Sequence, residues 1–512
     1  MKDVRDFIDE VAALKQLKTI GADVDWDEEL GAITYLVAKR KPSPSLLFER
    51  IKDAPSGYRV LTNIMGSSHD RIALALRLKL GLPLMQMVEQ VKDAFHRRIP
   101  PVEVPAATAP VNENVFTGDA VDVTKFPAWK AWPLDGGRYI GTACVTVTRD
   151  PDTGRVNLGT YRQMVQGKRE INVYMSPGKD ALQFMDRYWK RGEPMPIAVA
   201  YGIDPALLIG GAITFPNNAP EYECTGGMIG APIEVFTGDV TGLPIPARAE
   251  IVVEGFFQPN TFRREGPMGE FQAYYGRPGG ATPFIDVKCL RHRNNPILTC
   301  ALMADYPACE SHDFLAIVRS AKIWNDLDTL GIPGIKGVYS VPAAGAGMGM
   351  VIVSLEQRYA GHVAQTLALA AQCPAAAYFT KWFIAVDEDV DPTNLDEVTW
   401  AMVTRCIPTD GIDILRQTWS TYLDPSRNPP ALRPYGSKVL VNACKEHRFL
   451  KTYSKRLLLR EETYEQVSER WSALGLEGKP PVINHFETFE GGEPGPDGAR
   501  RDDMPDPSSF QM

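Results

Sequence analysis

The chain has two stretches whose charged residues can form one cluster. They are Asn157-Leu-Gly-Thr-Tyr-Arg162 and Arg264-Glu265-Gly-Pro-Met-Gly-Glu270. The first has strand character and presents an amide, small residues and one guanidinium. The second places two carboxylates five positions apart across a Gly-Pro-x-Gly turn, so both can be directed at one point. An arginine with two carboxylates forms a charge-assisted cluster, and crowded like charges raise one carboxylate's pKa so that it can carry a proton. The alternative interpretation is a structural ion pair on a β-rich domain, and spacing alone does not separate the two.

The first stretch is predicted to be the second strand of a β-hairpin. Tyr139–Val147 and Val156–Val165 are rich in β-branched and small residues, and an Asp-Pro-Asp-Thr-Gly turn lies between them. Side chains alternate along a strand, so Asn157 and Arg162 would lie on opposite faces because their separation is odd. Both can serve one site only if a bulge near Gly159 or the end of the strand interrupts the alternation.

Composition limits the class of protein. The chain has 512 residues, which predicts two or three domains, with 44% hydrophobic and 23% charged residues as in ordinary globular proteins. A net charge of −8 and the lack of a Lys/Arg block predict no nucleic-acid partner. No apolar run approaches the roughly 18 residues of a membrane span, and the N-terminus reads as an amphipathic helix rather than a signal peptide. Eight scattered cysteines without a C-x-x-C pair are typical of a reduced, cytoplasmic protein.

The pattern of elements changes along the chain. Residues 1–114 are predicted to be an N-terminal α/β domain that ends in a proline-rich linker, and residues 115–310 a strand-rich barrel. Residues 311–475 return to α/β, and 476–512 are an extended tail. Its Pro/Gly/Asp-rich part, 491–512, is expected to be disordered or laid on a partner.

Hydrophobic periodicity and capping residues predict the individual elements. Helices are expected at 3–14, 33–38, 68–76, 84–95, 180–189, 204–212, 312–330, 363–372, 396–406 and 461–474. Strands are expected at 58–63, 139–147, 156–165, 197–201, 247–257, 284–290, 297–302, 349–355 and 382–386.

Three further motifs favour structural roles. The glycine-rich run at 344–349 precedes a predicted strand, whereas a dinucleotide loop must follow one, so a turn is favoured. His312 lies in an acidic neighbourhood, but capping its helix is favoured over catalysis. The acidic run at 387–391 lacks the glycine and terminal glutamate of an EF-hand and is interpreted as a turn at a strand end.

Taken as a set, several stretches strongly resemble the UbiD family. They are Asn157–Arg162, Glu221 before Gly226-Gly227, Glu265–Glu270, and Val386–Asp391 with Val398–Arg405. Members of that family are decarboxylases, some working reversibly as carboxylases, that use prenylated FMN. The resemblance extends from Asp3 to about Leu474. It implies an N-terminal α/β domain, a central split β-barrel that binds the flavin, and a C-terminal α/β domain that drives homo-oligomerisation to a dimer or hexamer.

The resemblance implies a role for each residue of the cluster. Arg162 would hold the substrate carboxylate, and protonated Glu270 would return a proton to the carbon that loses CO2. Glu265 would orient Arg162 and tune Glu270. These three residues, Arg162, Glu265 and Glu270, are the expected catalytic residues, and the cofactor would act as the electron sink.

The resemblance also implies the binding residues. The flavin and its phosphate would be lined by Asn157, Leu158, Gly159, Thr160, Tyr161, Arg162, Gly178, Lys179, Glu221 and Arg405. Asn157 and Glu221 would hold a divalent metal, usually Mn2+, that bridges to the phosphate. Backbone carbonyls at 210–213 would help to hold K+.

One position departs from the family. By the resemblance, the family's metal-binding histidine falls on Lys179, and a charged ammonium cannot ligate a metal. The alternative is an alignment slip of one or two residues, but no histidine lies between His96 and His292. Lys179 is therefore expected to pair with the flavin phosphate, replacing one metal–phosphate contact and leaving Asn157 and Glu221 as the protein's metal ligands.

The predicted function is reversible decarboxylation of an aromatic or α,β-unsaturated carboxylic acid. The small-molecule partners would be the acid, hydroxybenzoate-like or an aromatic acyl-thioester, and CO2, with a flavin prenyltransferase supplying the cofactor. The alternative is a non-catalytic or flavin-poor subunit of a larger carboxylase assembly, which the change at Lys179 favours. The intact Arg162, Glu265 and Glu270 favour the enzyme.

Overall fold

The computed structural model describes residues 2–213, 215, 219–421, 423–427, 435–454, 456–483 and 485–487. The prediction for the tail at 491–512 falls outside these residues. The described chain divides into two compact units, the first ending at Cys444 and the second beginning at Lys445. None of the described helices combines the length and apolar character needed to cross a bilayer.

The N-terminal part begins with a capped helix, as predicted, because Asp3 accepts hydrogen bonds from the first backbone N–H groups. Ser68 caps a later helix in the same way. Three strands that the sequence did not predict, β1, β2 and β4, complete this part. The elements are α1 (Val4–Ala13), β1 (Leu17–Val24), α2 (Glu29–Ala38), β2 (Ser45–Ile51), β3 (Arg59–Thr62), α3 (His69–Ala75), α4 (Leu84–Ala94) and β4 (Val102–Glu103).

The central part is built on a nine-stranded antiparallel sheet. Its strands are ordered β6-β9-β10-β15-β14-β11-β7-β8, and β5 pairs with β15. The elements are β5 (Asn114–Thr117), β6 (Tyr139–Gly141), β7 (Cys144–Arg149), β8 (Val156–Gly159), β9 (Gln163–Gly167), β10 (Glu170–Val173), α5 (Asp180–Lys190), β11 (Met195–Tyr201), α6 (Pro205–Ala212), α7 (Glu221–Ile229), β12 (Glu234–Thr237), β13 (Pro244–Pro246), β14 (Ile251–Glu265), β15 (Gly280–His292) and β16 (Ile297–Cys300). The sheet curls into a half-barrel, which confirms the predicted split barrel.

The expectation that 297–302 is a strand of the barrel was wrong. β16 pairs in parallel with β3 and completes a four-stranded N-terminal sheet of order β1-β2-β3-β16. A parallel partner more than two hundred residues away leaves no local signal, because the alternation of side chains in a strand is the same in either sheet. Leu298 and Cys300 are buried although β16 is the edge strand of this sheet.

The C-terminal part contains a five-stranded mixed sheet of order β17-β18-β19-β21-β20. Its elements are α8 (His312–Thr329), β17 (Ile335–Ser340), β18 (Met350–Leu355), α9 (His362–Gln372), β19 (Trp382–Asp387), α10 (Leu395–Arg405), α11 (Pro408–Gly411), β20 (Ile412–Trp419) and β21 (Tyr435–Ala443). The second unit contains α12 (Glu461–Glu469). β21 escaped prediction because Lys438 interrupts its apolar pattern. That ammonium is buried and donates to three carbonyl oxygens, of Ala371, Ala376 and Ala377.

The predicted hairpin is confirmed, and its second strand is interrupted. β7 and β8 pair in antiparallel register, with Thr148 opposite Asn157 and Thr146 opposite Gly159. β8 ends at Gly159 and β9 begins at Gln163, so residues 160–162 lie outside the strands. Of the two alternatives for placing Asn157 and Arg162 in one region, the structure shows the strand end.

Candidate active site

Arg162 lies between the two carboxylates of the turn. Its Nε and Nη2 donate to Glu265 Oε1 and Oε2 at 2.9 and 3.1 Å, and its Nη1 donates to Glu270 Oε1. Glu265 is the last residue of β14, and Glu270 lies in the loop that leads to β15. The side chain of Glu265 is fully buried, and those of Arg162 and Glu270 are about one tenth exposed. The structure therefore joins all three expected catalytic residues in one buried cluster.

Close backbone contacts between glycines fix the turn that carries Glu270. A Cβ on Gly136 would lie 2.2 Å from the carbonyl oxygen of Gly266, and a Cβ on Gly279 would lie 2.5 Å from the same atom. Gly266 itself adopts a φ of +79°, which favours glycine. The amide of Gly136 donates to Pro267 O at 2.8 Å. Larger residues at these positions would push the turn, and with it Glu270, away from Arg162.

Three residues that sequence reasoning missed complete the cluster. Tyr139 Oη donates to Glu265 Oε1 at 2.8 Å, and Arg277 Nη1 donates to Glu265 Oε2 at 3.2 Å. The ring of Tyr174 lies 4.5 Å from the Arg162 guanidinium and 4.4 Å from that of Arg277. These residues come from separate elements, so no motif groups them. The one local signal is Arg277, seven positions after Glu270 in a glycine-rich stretch.

The cluster holds one permanent cation beside one titratable acid. Burial raises the pKa of Glu270 to about 7; the charge of Glu265 acts in the same direction, and Arg162 opposes it. Burial disfavours the charge on Arg162, but Glu270 and Glu265 outweigh that effect and raise the pKa of Arg162 further. Glu270 can therefore donate or accept a proton near neutral pH, whereas Arg162 stays charged.

Asn157 and Glu221 form a second buried pair. Asn157 Nδ2 donates to Glu221 Oε1 at 2.9 Å, and the backbone N–H of Leu158 donates to Glu221 Oε2 at 3.2 Å. Burial raises the pKa of Glu221 to about 7. Asn157 Oδ1 is buried and has no hydrogen-bond partner among the described residues. An unpaired amide oxygen beside a carboxylate is a fitting donor set for a hard divalent cation.

The start of α5 borders this pair. Lys179 is the N-cap residue of α5 and is exposed, and Gly178 before it has a φ of +87°. Asp180, which sequence reasoning did not single out, accepts hydrogen bonds on Oδ2 from Arg155 at 2.9 Å and from Asn157 at 3.5 Å. In the described part of the chain no three His, Cys, Asp or Glu side chains are grouped to hold a metal.

The remaining expected binding residues divide into two groups. The first group is the segment at 158–161, in which Leu158 and Gly159 end β8 and Thr160 and Tyr161 precede β9. This segment packs on α6 through a hydrogen bond of 3.1 Å from Thr160 N to Gly211 O. Arg405 instead donates to Asp387 and Asp389 at 2.7 to 2.8 Å, joining the end of α10 to the end of β19. Its predicted contact with the cofactor phosphate stays a prediction.

A cavity of about 270 Å³ shares Tyr174 with the arginine cluster. Its lining consists of Tyr174, Ser176, Pro177, Gly178, Tyr378, Trp419, Ser420 and Thr421. Tyr378 and Trp419 meet edge to face with ring centroids 4.9 Å apart. Aromatic walls and a few polar groups suit a planar organic ligand.

Comparison with solved structures gives similar folds over nearly the whole chain. The vanillic acid decarboxylase of Sedimentibacter hydroxybenzoicus, in its closed form, is 28% identical with a TM-score of 0.82, covering 93% of this chain and 99% of that one. The 3,4-dihydroxybenzoic acid decarboxylase of Klebsiella pneumoniae is 27% identical with a TM-score of 0.79, covering 92% and 99%.

A third relative was solved with flavin. The UbiD-class enzyme HmfF from Pelotomaculum thermopropionicum, in complex with FMN, is 25% identical with a TM-score of 0.78, covering 89% of this chain and 97% of that one. An evolved dimeric form of HmfF in complex with prFMN is 24% identical and has the same fold, with a TM-score of 0.78 over 90% and 98%.

The chain also matches the three domains of one protein family, 3-octaprenyl-4-hydroxybenzoate carboxy-lyase. The N-terminal domain matches residues 8–92, the Rift-related domain residues 102–306, and the C-terminal domain residues 312–443. The three occur in order and together account for most of the chain. The protein therefore belongs to the UbiD family of carboxy-lyases.

Proposed function

We propose that the protein is a prenylated-FMN-dependent decarboxylase of an aromatic or α,β-unsaturated carboxylic acid, and that it can run in reverse as a carboxylase. The observation that supports this most directly is the buried Arg162–Glu265–Glu270 cluster, in which a permanent cation lies beside an acid that titrates near pH 7. The aromatic cavity next to it and the two hydroxybenzoic-type decarboxylases among the relatives favour a hydroxybenzoate-like acid. An aromatic acyl-thioester is the second candidate.

Each residue of the cluster has a separate role in the proposed reaction. The planar fork of Arg162 binds the substrate carboxylate and holds the carbon–carboxylate bond in one orientation. Glu265, fixed by Tyr139 and Arg277, keeps that fork in place. Protonated Glu270 donates its proton to the carbon from which CO2 leaves and regains a proton from solvent. In the carboxylation direction, ionised Glu270 removes the proton from the same carbon.

The cofactor is proposed to lie along Leu158–Arg162, toward Gly178, Lys179 and the cavity. FMN in one HmfF structure and prFMN in the other support the identity of the cofactor. When bound, prenylated FMN supplies an electron sink for the carbon that loses CO2. Asn157 and Glu221 would hold Mn2+ or a similar cation, which the unpaired Asn157 Oδ1 fits. Carbonyls at 210–213 would hold K+, and Arg405 remains a candidate phosphate ligand.

The proposal includes the source of the cofactor and the assembly of the protein. The flavin must be prenylated, so a flavin prenyltransferase would supply it, in the cytoplasm. Apolar side chains on the edge strand β20 and on α10 are exposed, among them Ile414 at 53%, Trp419 at 56% and Val403 at 78%. An exposed apolar edge supports assembly of identical copies through the C-terminal part.

Production of the protein together with a flavin prenyltransferase tests the function. We expect a visible flavin absorption spectrum and release of CO2 from one class of acid in a panel of hydroxybenzoates, unsaturated acids and aromatic acyl-thioesters. Protein that stays colourless and releases no CO2 from any of them would instead support the non-catalytic subunit.

The rate should fall as pH rises through about 7. Burial raises the pKa of Glu270 to about 7, so its donor form is present below that pH and lost above it. The measurement is kcat/KM for CO2 release across neutral pH, with a substrate whose own carboxyl titrates well below this range. A profile that stays flat on the alkaline side would contradict the assignment of Glu270 as the acid.

Lys179→Met should weaken retention of the flavin. Loss of the ammonium leaves the flavin phosphate less compensated. Flavin-to-protein ratios after gel filtration measure the effect, and Lys190→Met, an exposed lysine at the other end of α5, is the matched control. Equal ratios in both variants would remove Lys179 from the phosphate site.

A further inference from the structure

We propose that Asp180 completes the divalent-metal site, as a third oxygen ligand beside Asn157 and Glu221. This inference rests on the proposed function, because the metal is expected to bridge to the flavin phosphate. The third metal ligand is then the residue after Lys179, and a carboxylate takes the place of the family's histidine nitrogen. Lys179 makes no side-chain hydrogen bond or ion pair with any described residue and is left to meet the phosphate.

The three side chains are already in contact. Asn157 Nδ2 lies 2.9 Å from Glu221 Oε1 and 3.5 Å from Asp180 Oδ2, so the amide sits between two carboxylates. Asn157 extends from β8, Glu221 begins α7 and Asp180 begins α5. Two helix starts and one strand thus converge on one point.

The Asn157 amide shows that this point suits a cation. Its Oδ1 is buried without a partner, and Asn157 as a whole is only 5% exposed. A half-turn of the amide exchanges Oδ1 and Nδ2 with little change in shape. It would place the neutral amide oxygen between Glu221 Oε1 and the carboxylate of Asp180. Without a cation that arrangement is repulsive, and a bound cation would offset the repulsion.

Asp180 has an oxygen to spare for the metal. Arg155 and Asn157 both donate to its Oδ2, and Oδ1 accepts no hydrogen bond from the described residues. Arg155 occupies only Oδ2, so Oδ1 stays available. Amide and carboxylate oxygens favour Mn2+ or Mg2+ over the softer metals that prefer nitrogen and sulfur.

Binding of Mn2+ to the purified protein in the presence of FMN tests the assignment. The signal is the paramagnetic resonance of free Mn2+, which is lost on binding and needs no turnover. We expect Asp180→Ala to raise the Kd for Mn2+ by tenfold or more, as Glu221→Gln should. Asp186→Ala, which removes an exposed acid of the same helix, should leave the Kd within about twofold of wild type.

Two further variants separate ligation from support of the fold. Asp180→Asn keeps the shape of the side chain and should bind Mn2+ more weakly than wild type. Arg155→Met removes the other partner of Asp180 but leaves the carboxylate, and should keep Mn2+ binding. The assignment is overturned if Asp180→Ala binds Mn2+ like wild type, or if Arg155→Met reproduces its loss. FMN binding, followed by flavin fluorescence in the same samples, separates failure of the Asp180 assignment from failure of the proposed function. Wild-type protein that binds no FMN contradicts the proposed function itself.

Discussion

Glu270→Gln is expected to abolish turnover while leaving the flavin bound. The amide has nearly the shape of the acid and can still contact Arg162, but it has no proton to give to the carbon. Positioned acids contribute roughly 10²–10⁴-fold to a rate, so a loss of at least a hundredfold in kcat is expected. The measurement is CO2 release on a confirmed substrate, with flavin absorbance recorded on the same sample.

The matched control is Glu254→Gln. Glu254 is also fully buried and paired with an arginine, Arg291, at 3.2 Å, but it takes no part in the cluster. Its specific activity per folded, flavin-loaded molecule should stay close to wild type. If Glu270→Gln kept more than a tenth of the wild-type rate, another group would have to deliver the proton.

Local sequence was enough to predict the turn and the hairpin around the site. The Gly-Pro-x-Gly turn that brings Glu265 and Glu270 onto one arginine depends on residues five positions apart. The β7–β8 hairpin depends on a turn sequence and flanking β-branched residues. In both cases the neighbours in space are neighbours in the chain, so composition and spacing contain the information.

Contacts between distant segments could not be predicted in this way. β16 pairs with β3 in the N-terminal sheet although more than two hundred residues separate them, and Tyr139 of β6 meets Glu265 at the end of β14 although 126 residues separate them. Asp180 was overlooked for a different reason. It begins a helix and pairs with Arg155, which in sequence looks like an ordinary first-turn acid, and only its position beside Asn157 gives it another meaning.

Arg162→Lys is the second change for which a large loss is expected. Arg162 uses three nitrogens at once, Nε and Nη2 on Glu265 and Nη1 on Glu270, and still presents a planar fork to a substrate carboxylate. A lysine offers one nitrogen and a point charge. Loss of about two charge-assisted hydrogen bonds predicts a fall of roughly a hundredfold or more in kcat/KM.

The control for this change is Arg277→Lys. Arg277 also lies over Tyr174 and donates to Glu265, but it makes no hydrogen bond with Glu270 among the described residues. Its replacement should cost less in kcat/KM, because it supports the cluster from outside. A near-normal kcat/KM in Arg162→Lys would instead place the binding of the substrate carboxylate elsewhere.

The pH profile of kcat/KM separates the loss of the planar guanidinium of Arg162 from the loss of its positive charge. Arg162 opposes the effects of burial and Glu265 on Glu270, so Arg162→Met should raise the pKa of Glu270 further. The alkaline limb of kcat/KM would then move above pH 7, toward higher pH, in the activity that remains. Arg162→Lys keeps a positive charge near Glu270 and should move that limb less. If both variants lose rate equally and neither moves the limb, Arg162 acts on the substrate alone and the acidity of Glu270 is set by burial and Glu265.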